Sequence, residues 1–316
     1  AGNHAQGLAM AAQQLNISST IVMPTTTPQI KLNAVRSWGA EILIHGDTFD
    51  QAFMHARQLE SGKGLVFVAP FDDPDVIVGQ GTVGLEIVDQ VEKPLDAIFV
   101  PVGGGGLLAG IATYVSQTWP KTKIFGVEPE DAACLKAAIE YGAPIELQEV
   151  GLFVDGCAVS LVGSENYRLI RPVLEDVITV GTDEICSAIK DIFEDTRVIA
   201  EPAGALALAG LKKFTLRNKV TESSLLAILS GSNTNFDRLR YISERTEVGE
   251  RREAVISVSI PEEPGSFLKF CASIGKRNIT EFNYRFNDSS IARVFVGLSI
   301  QPDQDDIGDL IARLIS

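Results

Sequence analysis

Apolar and polar positions over the first seventy residues alternate between two periods. Helical spacing covers 4–15, 28–38 and 48–59, and short β-rich apolar runs at 19–23, 41–44 and 65–68 stand among them. Strand, helix and strand at this spacing predict right-handed crossovers in a parallel sheet. A second series follows, with runs at 97–100, 123–127, 177–180 and 225–229 separated by helical intervals. These runs are apolar throughout, as strands covered by helices on both faces must be. The pattern defines an α/β chain.

After a helix predicted at 236–242 the pattern changes, because residues 243–253 hold seven charged side chains in eleven positions. A domain boundary is expected there. The chain then divides into a small α/β lobe over 1–69, a large α/β lobe over 70–249 and an α+β module over 250–316. In the module a strand at 254–260 leads to a helix at 266–274, two strands at 279–286 and 291–298, and a helix from about 303 onward. A split βαβ module needs one strand more, so the expectation is a module cut short. The abrupt opening Ala1-Gly2-Asn3-His4, a turn already feeding a helix, gives the same expectation at the other end.

Composition narrows the chemistry. Of 316 residues 45% are hydrophobic and 22% charged, a globular balance. Lys plus Arg is 27 against 41 for Asp plus Glu, a net charge of −14. That field repels nucleic acid and anionic membranes, so neither is an expected partner, and a bound phosphate must be held locally by backbone amides. There is no apolar run long enough for a membrane span and no leader pattern. Cys134, Cys157, Cys186 and Cys271 stand 23, 29 and 85 residues apart, which fits a reducing compartment. His4, His45 and His55 are too scattered to announce a metal site.

The strongest local signal is Gly103-Gly104-Gly105-Gly106-Leu107, which follows the strand ending near Val102 and opens a helix at 107–115. Residues without side chains let a backbone approach a ligand, and N–H groups at a helix start can cradle a phosphate. A tight turn without a ligand is the alternative, and the backbone entropy that four successive glycines cost weighs against it. Gly104-Gly105-Gly106-Leu107-Leu108-Ala109 also fits the dinucleotide pattern G-x-G-x-x-A, and Glu128, 22 residues beyond Gly106, stands where a ribose-binding acid would. Against that reading, the turn is not in the first βα unit. The motif by itself leaves both phosphates open.

Three elements occur together in order: Gly2-Asn3-His4-Ala5-Gln6-Gly7, the glycine run, and Leu229-Ser230-Gly231-Ser232-Asn233. With Lys31-Leu32-Asn33-Ala34-Val35-Arg36, Glu201-Pro202-Ala203-Gly204-Ala205 and Thr280-Glu281-Phe282-Asn283-Tyr284-Arg285, the chain resembles the biosynthetic threonine dehydratases, also called threonine deaminases. These belong to the tryptophan-synthase-β-like class of pyridoxal-phosphate enzymes, and the resemblance runs along essentially the whole chain. It implies a two-lobed parallel-sheet fold with an appended ACT-like regulatory module, and pyridoxal 5′-phosphate as cofactor.

The resemblance also implies roles. Asn3 would bond the cofactor's 3-hydroxyl, and the Gly2, Asn3 and His4 loop would take the substrate carboxylate. Gly103, Gly104, Gly105, Gly106 and the Leu107 amide would hold the 5′-phosphate. Ser230 would face the pyridine nitrogen, where a neutral hydroxyl makes the ring a weaker electron sink and favours dehydration over transamination. Gly265 and Tyr284 would line an effector site. Threonine would give 2-oxobutanoate and ammonia, with isoleucine as feedback effector, in a homotetramer of the cytoplasm, or of the plastid in a plant.

In the family the Schiff-base lysine lies in an S-F-K-x-R-G-like stretch upstream of the Asn loop. No lysine here matches, so no catalytic residue is assigned and the chain alone is expected to be inactive. Blander readings stand beside these roles. Asn3 can be an N-cap, Ser230 a turn residue, and Phe282, Tyr284 and Phe286 the buried face of a strand. Glu201 can be a cation ligand or simply a carboxylate at a helix start, the latter being preferred. Three rival classes remain: a serine dehydratase or racemase, whose typical members lack the tail from about 254, a nicotinamide oxidoreductase, and an inactive amino-acid sensor.

Overall fold

The computed structural model describes residues 2–234, 236–249, 253–286, 291–300 and 307–315. In the first lobe β1 (Thr20–Met23) and β2 (Glu41–Ile44) pair in parallel, flanked by α1 (Asn3–Gln14), α2 (Gln29–Ser37) and α3 (Phe49–Lys63). Ala5 and Ala9 of α1, Ile21 and Met23 of β1, and Leu32 and Val35 of α2 form the lobe's core. The Thr48 hydroxyl caps α3 by accepting the Gln51 N–H, and Gly64 ends it in a left-handed conformation. The expected strand at 65–68 is absent: this stretch pairs with no strand among the described residues, and Val66 is 89% exposed. A short apolar run becomes a strand only where a neighbour offers a ladder.

The second lobe carries α4 (Pro74–Gln90), β3 (Ala97–Pro101), α5 (Gly106–Thr118), β4 (Lys123–Pro129), α6 (Cys134–Tyr141), α7 (Ser164–Ile170), β5 (Asp176–Val180), α8 (Thr182–Thr196), α9 (Pro202–Asn218), β6 (Leu225–Ala227) and α10 (Leu239–Gly249). Its four strands run parallel in the order β5-β4-β3-β6. Every residue of β3 is buried because both faces are covered. Ile98 and Val100 pack with Leu108, Ile111, Leu135 and Ile170 on one side. On the other, Phe99 stacks on Phe125 at 5.0 Å and both meet Phe214 of α9. Each such side chain, fully buried, contributes about 1.5–3 kcal/mol. The α/β class and parallel sheet are as expected.

The helix expected at 236–242 is a 3₁₀ turn at Phe236–Arg238 followed by α10, which continues into the charged stretch as far as Gly249. Ile242 and Thr246 stand one turn apart and dock on α8, where the buried Thr246 hydroxyl donates to the Cys186 carbonyl, while Arg245 pairs with Asp183 at 2.9 Å. Charge density hid the second half of this helix, which needs only one narrow apolar stripe. Residues 250–252 lie outside the described residues.

The last module holds β7 (Glu253–Pro261), α11 (Ser266–Ile274), β8 (Ile279–Phe286), β9 (Ile291–Ser299) and α12 (Ile307–Ile315). The strands are antiparallel in the order β7-β9-β8, and Ala292, Val294, Val296 and Leu298 of β9 form its core with Phe270, Ile274 and Leu310. Phe282 and Tyr284 pair with Val296 and Val294, so they share the core's face. At the sheet edge they remain 43% and 40% exposed, which corrects the buried-face reading, and the Phe286 side chain lies outside the description. All four cysteines are unpaired, and among the described residues no helix is long and apolar enough to cross a membrane.

The helix that follows the glycine run is set by its contact with α4. A Cβ at Gly110 would lie 2.5 Å from the Gly81 nitrogen and 2.6 Å from the Ile77 carbonyl oxygen, so the two backbones touch there. Gly110→Ala should therefore destabilise the fold by about 1–3 kcal/mol, the usual range for overpacking. Urea unfolding checks this, and an unchanged midpoint would show that the helices separate freely.

Candidate active site

Parallel strands bring their carboxyl ends, and the loops that follow them, to one edge of the sheet. β3 and β6 are neighbours, and the pairing extends past β6 because Ile228 N donates to Phe99 O at 3.0 Å. Hence the loop after β3, carrying the four glycines, and the loop after β6, carrying Ser230 to Asn233, emerge at the same edge. Segment 156–157 lies between them: a Cβ on Gly103 would stand 3.0 Å from Cys157 Cα, and one on Gly156 2.8 Å from Ala203 Cβ.

The glycine loop is held by its carbonyls. Gly104 O accepts from Asn166 Nδ2 at 2.7 Å and from Gly163 N at 3.0 Å, while Gly103 O accepts from the Cys134 thiol at 3.4 Å. Gly105 caps α5 with φ of 93°, a left-handed conformation that favours glycine. The amides of Gly103, Gly104, Gly105, Gly106 and Leu107 meet no acceptor among the described residues, although Gly104, Gly105 and Gly106 are buried. Buried N–H groups without partners at a helix start are donors awaiting an anion, so the loop fits a phosphate. A Cβ on Gly104 would fall within 2.5 Å of the Phe71 ring, so enlarging that residue displaces Phe71 as well as any phosphate.

Asn3 begins α1 and reaches across to the second lobe. Its Nδ2 donates to Glu201 Oε1 at 3.4 Å, and its Oδ1 accepts from Asn233 Nδ2 at 3.2 Å. Gly2, not Asn3, stands at the N-cap of α1, and the Asn3 side chain bonds Glu201 and Asn233 instead, which sets aside the N-cap reading. Glu201 is 8% exposed at the N-cap of α9, and its N–H donates to Gly231 O at 3.2 Å. Burial, with Asp155 nearby, holds its carboxyl above the ordinary carboxylate range, against the opposing Asn3 bond and the Lys31 charge. Ser230 Oγ donates to Ala203 O at 3.4 Å in the same corner. Lys31 also bridges the lobes, 3.7 Å from Asp155.

Asn3, Glu201, Ser230 and Asn233 thus meet beside the glycine loop. The Gly2-Asn3-His4 segment offers helix-start amides, but the His4 ring is engaged elsewhere, with Nε2 3.1 Å from Val68 O and its pKa lowered chiefly by burial. Among the described residues no group of three or more His, Cys, Asp or Glu gathers to hold a metal.

Glu128 does not serve a ribose. It is fully buried, and Oε1 and Oε2 accept the Leu135 and Lys136 amides at 2.7 and 2.9 Å, capping α6. The dinucleotide reading fails on this geometry. Burial pushes the Glu128 carboxyl up to about 7 and the Cys134 and Cys157 thiols up to about 12, so those thiols are poor nucleophiles.

Asn166 escaped the sequence reading, as did Asp72, whose carboxylate accepts the Ser164, Glu165 and Asn166 amides at 3.0 to 3.2 Å and so holds α7. Asp-Asp-Pro at 72–74 does announce the cap of α4 by Asp73. In the last module Gly265 caps α11 with φ of 96° and open space around it. The Tyr284 hydroxyl donates to Glu262 on the same turn, with Phe267 edge-on at 6.4 Å. Two surface concavities, of about 460 Å³ beside Glu130 and Glu149 and about 290 Å³ beside His45 and His55, contain none of these groups.

Unpartnered amides at one sheet edge, with an Asn and a Ser converging on the same place, are the arrangement that a phosphate-bearing cofactor needs. Residues 1–231 match the pyridoxal-phosphate dependent enzymes, and the chain belongs to that family. Residues 244–316 match the C-terminal regulatory domain of threonine dehydratase.

The chain is 51% identical over 314 residues to the biosynthetic L-threonine dehydratase of Salmonella typhimurium, covering 99% of this chain and 61% of that protein. It is 49% identical over 300 residues to the chloroplastic biosynthetic threonine dehydratase of Arabidopsis thaliana, covering 95% of this chain and 51% of that one. The chain therefore spans about half to three fifths of the length of these relatives. The processed form of threonine deaminase isoform 2 from Solanum lycopersicum superposes with a TM-score of 0.76 at 45% identity, over 77% of this chain and 71% of that chain. Maize serine racemase superposes with a TM-score of 0.71 at 30% identity, over 79% and 76%.

Folding raises the proton affinity of Glu128, from an ordinary 4.5 to about 7. Its neutral form is the stabilising one. The contribution is full below pH 4.5, falls as pH rises from there to about 7, and is level above, a span of about 3 kcal/mol. Unfolding measured across that window should show the decline, and Glu128→Gln should flatten it. The same slope in both proteins would assign the decline to other groups.

Proposed function

We propose that the whole protein deaminates L-threonine to 2-oxobutanoate and ammonia, and that the described cleft holds the pyridoxal phosphate that this needs. The observation that carries this reading is the run of unpartnered amides at Gly103 to Leu107, set at one sheet edge with Asn3 and Ser230. The cofactor, when bound, supplies an electron sink for charge developing at the substrate α-carbon. The glycine-loop and Leu107 amides bind its phosphate. Asn3, oriented by Glu201 and Asn233, bonds the ring hydroxyl through its remaining donor capacity. Ser230 offers the ring nitrogen a neutral hydroxyl and leaves it without a forced proton, which favours prompt loss of the β-hydroxyl. The helix-start amides of Gly2, Asn3 and His4 receive the substrate carboxylate.

The base for the α-proton is a lysine that none of this chain's lysines matches, so these 316 residues alone bind cofactor without turnover. Borohydride trapping with peptide mapping, run beside a 2-oxobutanoate assay, tests both statements. A lysine adduct within residues 1–316 that supports turnover would overturn the second. Threonine dehydration by the whole protein is the expected result for the first, and serine racemisation without dehydration would favour the racemase reading that the maize structure supports. The match of 244–316 to a threonine dehydratase regulatory domain weighs for the dehydratase.

In this reading the last module binds isoleucine beside Gly265 and Tyr284 and lowers turnover, and the protein acts as a homotetramer in the cytoplasm, or in the plastid of a plant. Isoleucine should inhibit the whole enzyme with a coupling of about 1–3 kcal/mol. Removing residues 253–316 should abolish the inhibition while turnover persists. Equal sensitivity after the deletion would remove the regulatory role.

A further inference from the structure

A loop of four glycines has more backbone freedom than any other tetrapeptide, yet a phosphate cradle requires its amides to point one way before the ligand arrives. Something other than the glycines must set that direction. In a planar trans peptide the C=O of one residue and the N–H of the next point oppositely, so a carbonyl fixed from behind aims the following amide forward. Two carbonyls of this loop are fixed in that manner. Gly103 O is held by the Cys134 thiol, which directs Gly104 N–H away from it, and Gly104 O is held by Asn166 Nδ2 and Gly163 N, which directs Gly105 N–H away.

We propose that Asn166 and Cys134 are positioning residues that hold the phosphate-binding peptides from behind, each fixed in turn by a buttress, Asp72 for Asn166 and Glu128 for Cys134. This rests on the reading that the glycine loop takes the cofactor's phosphate. Asn166 is fully buried, and its Nδ2 lies between two carbonyl oxygens, Gly104 O at 2.7 Å and Phe71 O at 3.2 Å. Two acceptors leave the side-chain amide only one orientation, and its Oδ1 has no partner. A buried acceptor left unsatisfied is a cost that the fold bears for the sake of the donor beside it. Asp72 accepts the Asn166 backbone amide and the two before it, which fixes the start of α7.

The second buttress works in the same way. Glu128 accepts the two amides that follow Cys134 in α6, whose own N-cap residue, Ala133, has only a methyl group and cannot accept them. The thiol is thereby held against Gly103 O. Burial first, and then the Glu128 carboxyl beside it, raise the thiol's pKa, so the thiol keeps its one proton, with Gly103 O 3.4 Å from Sγ and Glu128 as the other acceptor in reach. The charged neighbour of this pair is Lys136, and Cys157 is the other titratable group facing Glu128.

Comparison of pyridoxal phosphate with pyridoxal, which lacks the phosphate, tests the assignment in the whole enzyme. Asn166→Asp keeps the side chain's size but sets an acceptor against two carbonyls, and should weaken pyridoxal phosphate binding about tenfold or more while pyridoxal binding stays unchanged. Cys134→Ala should weaken it about threefold to tenfold, as loss of one hydrogen bond does, and Cys134→Ser, which restores a donor, should recover most of the loss. The ³¹P resonance of bound cofactor should shift in the two damaging variants. Equal losses for both ligands would reduce these residues to general structural support and overturn the proposal. If Asn166→Asp does not fold, the Cys134 pair decides alone, and Ala and Ser binding equally would refute it. A wild-type enzyme that binds both ligands equally would instead refute the phosphate reading of the loop, and this proposal with it.

Discussion

The structure depends on one constraint: a glycine segment leaves its N–H groups without partners while carbonyls of the same peptides are hydrogen-bonded inside the protein. The net charge of −14 allows no help from a general positive field. Local dipoles are what the loop can offer an anion, because it opens α5, where helix-start amides are already without partners. The buried strand β3 delivers the loop to the sheet edge, and the Gly110 contact with α4 sets how α5 leaves it. The polar contacts behind the loop are buried, and their strength comes from that low-dielectric setting.

The cleft is also assembled between lobes. Asn3 and Lys31 belong to the first lobe, and their partners Glu201, Asn233 and Asp155 to the second. A long, partly exposed ion pair such as Lys31 with Asp155, 3.7 Å apart, contributes little by itself. The Asn3 contacts are more selective, because Glu201 and Asn233 use opposite ends of one amide and leave it a single orientation. The side chain that the family resemblance assigns to the cofactor is thus oriented by the other lobe.

Much of the architecture was legible in the sequence, for reasons that differ from element to element. The run at 97–100 followed by glycines reads unambiguously, since a strand buried on both faces must be wholly apolar. The run at 65–68 has the same local character, and only the absence of a neighbouring strand tells them apart. The second half of α10 was hidden because the stripe of Ile242 and Thr246 is narrower than its charged surroundings. Asn166 and Asp72 could not be found at all. Their partners lie 62 and 92 to 94 residues away, and their importance appears only when those partners are adjacent. Glu128 was noticed at the right distance from the glycines, but spacing cannot say that its carboxylate turns inward to α6.

The most direct measurement is the amide spectrum of ¹⁵N-glycine-labelled protein titrated with pyridoxal phosphate and, separately, with pyridoxal. Downfield shifts are expected at the amides of Gly103 to Gly106 with the phosphorylated ligand, absent or much smaller with pyridoxal. Glycine amides outside the cleft, such as Gly142 and Gly275, should stay in place. Shifts at distant glycines with none in the loop would place the phosphate elsewhere and contradict the account at its base.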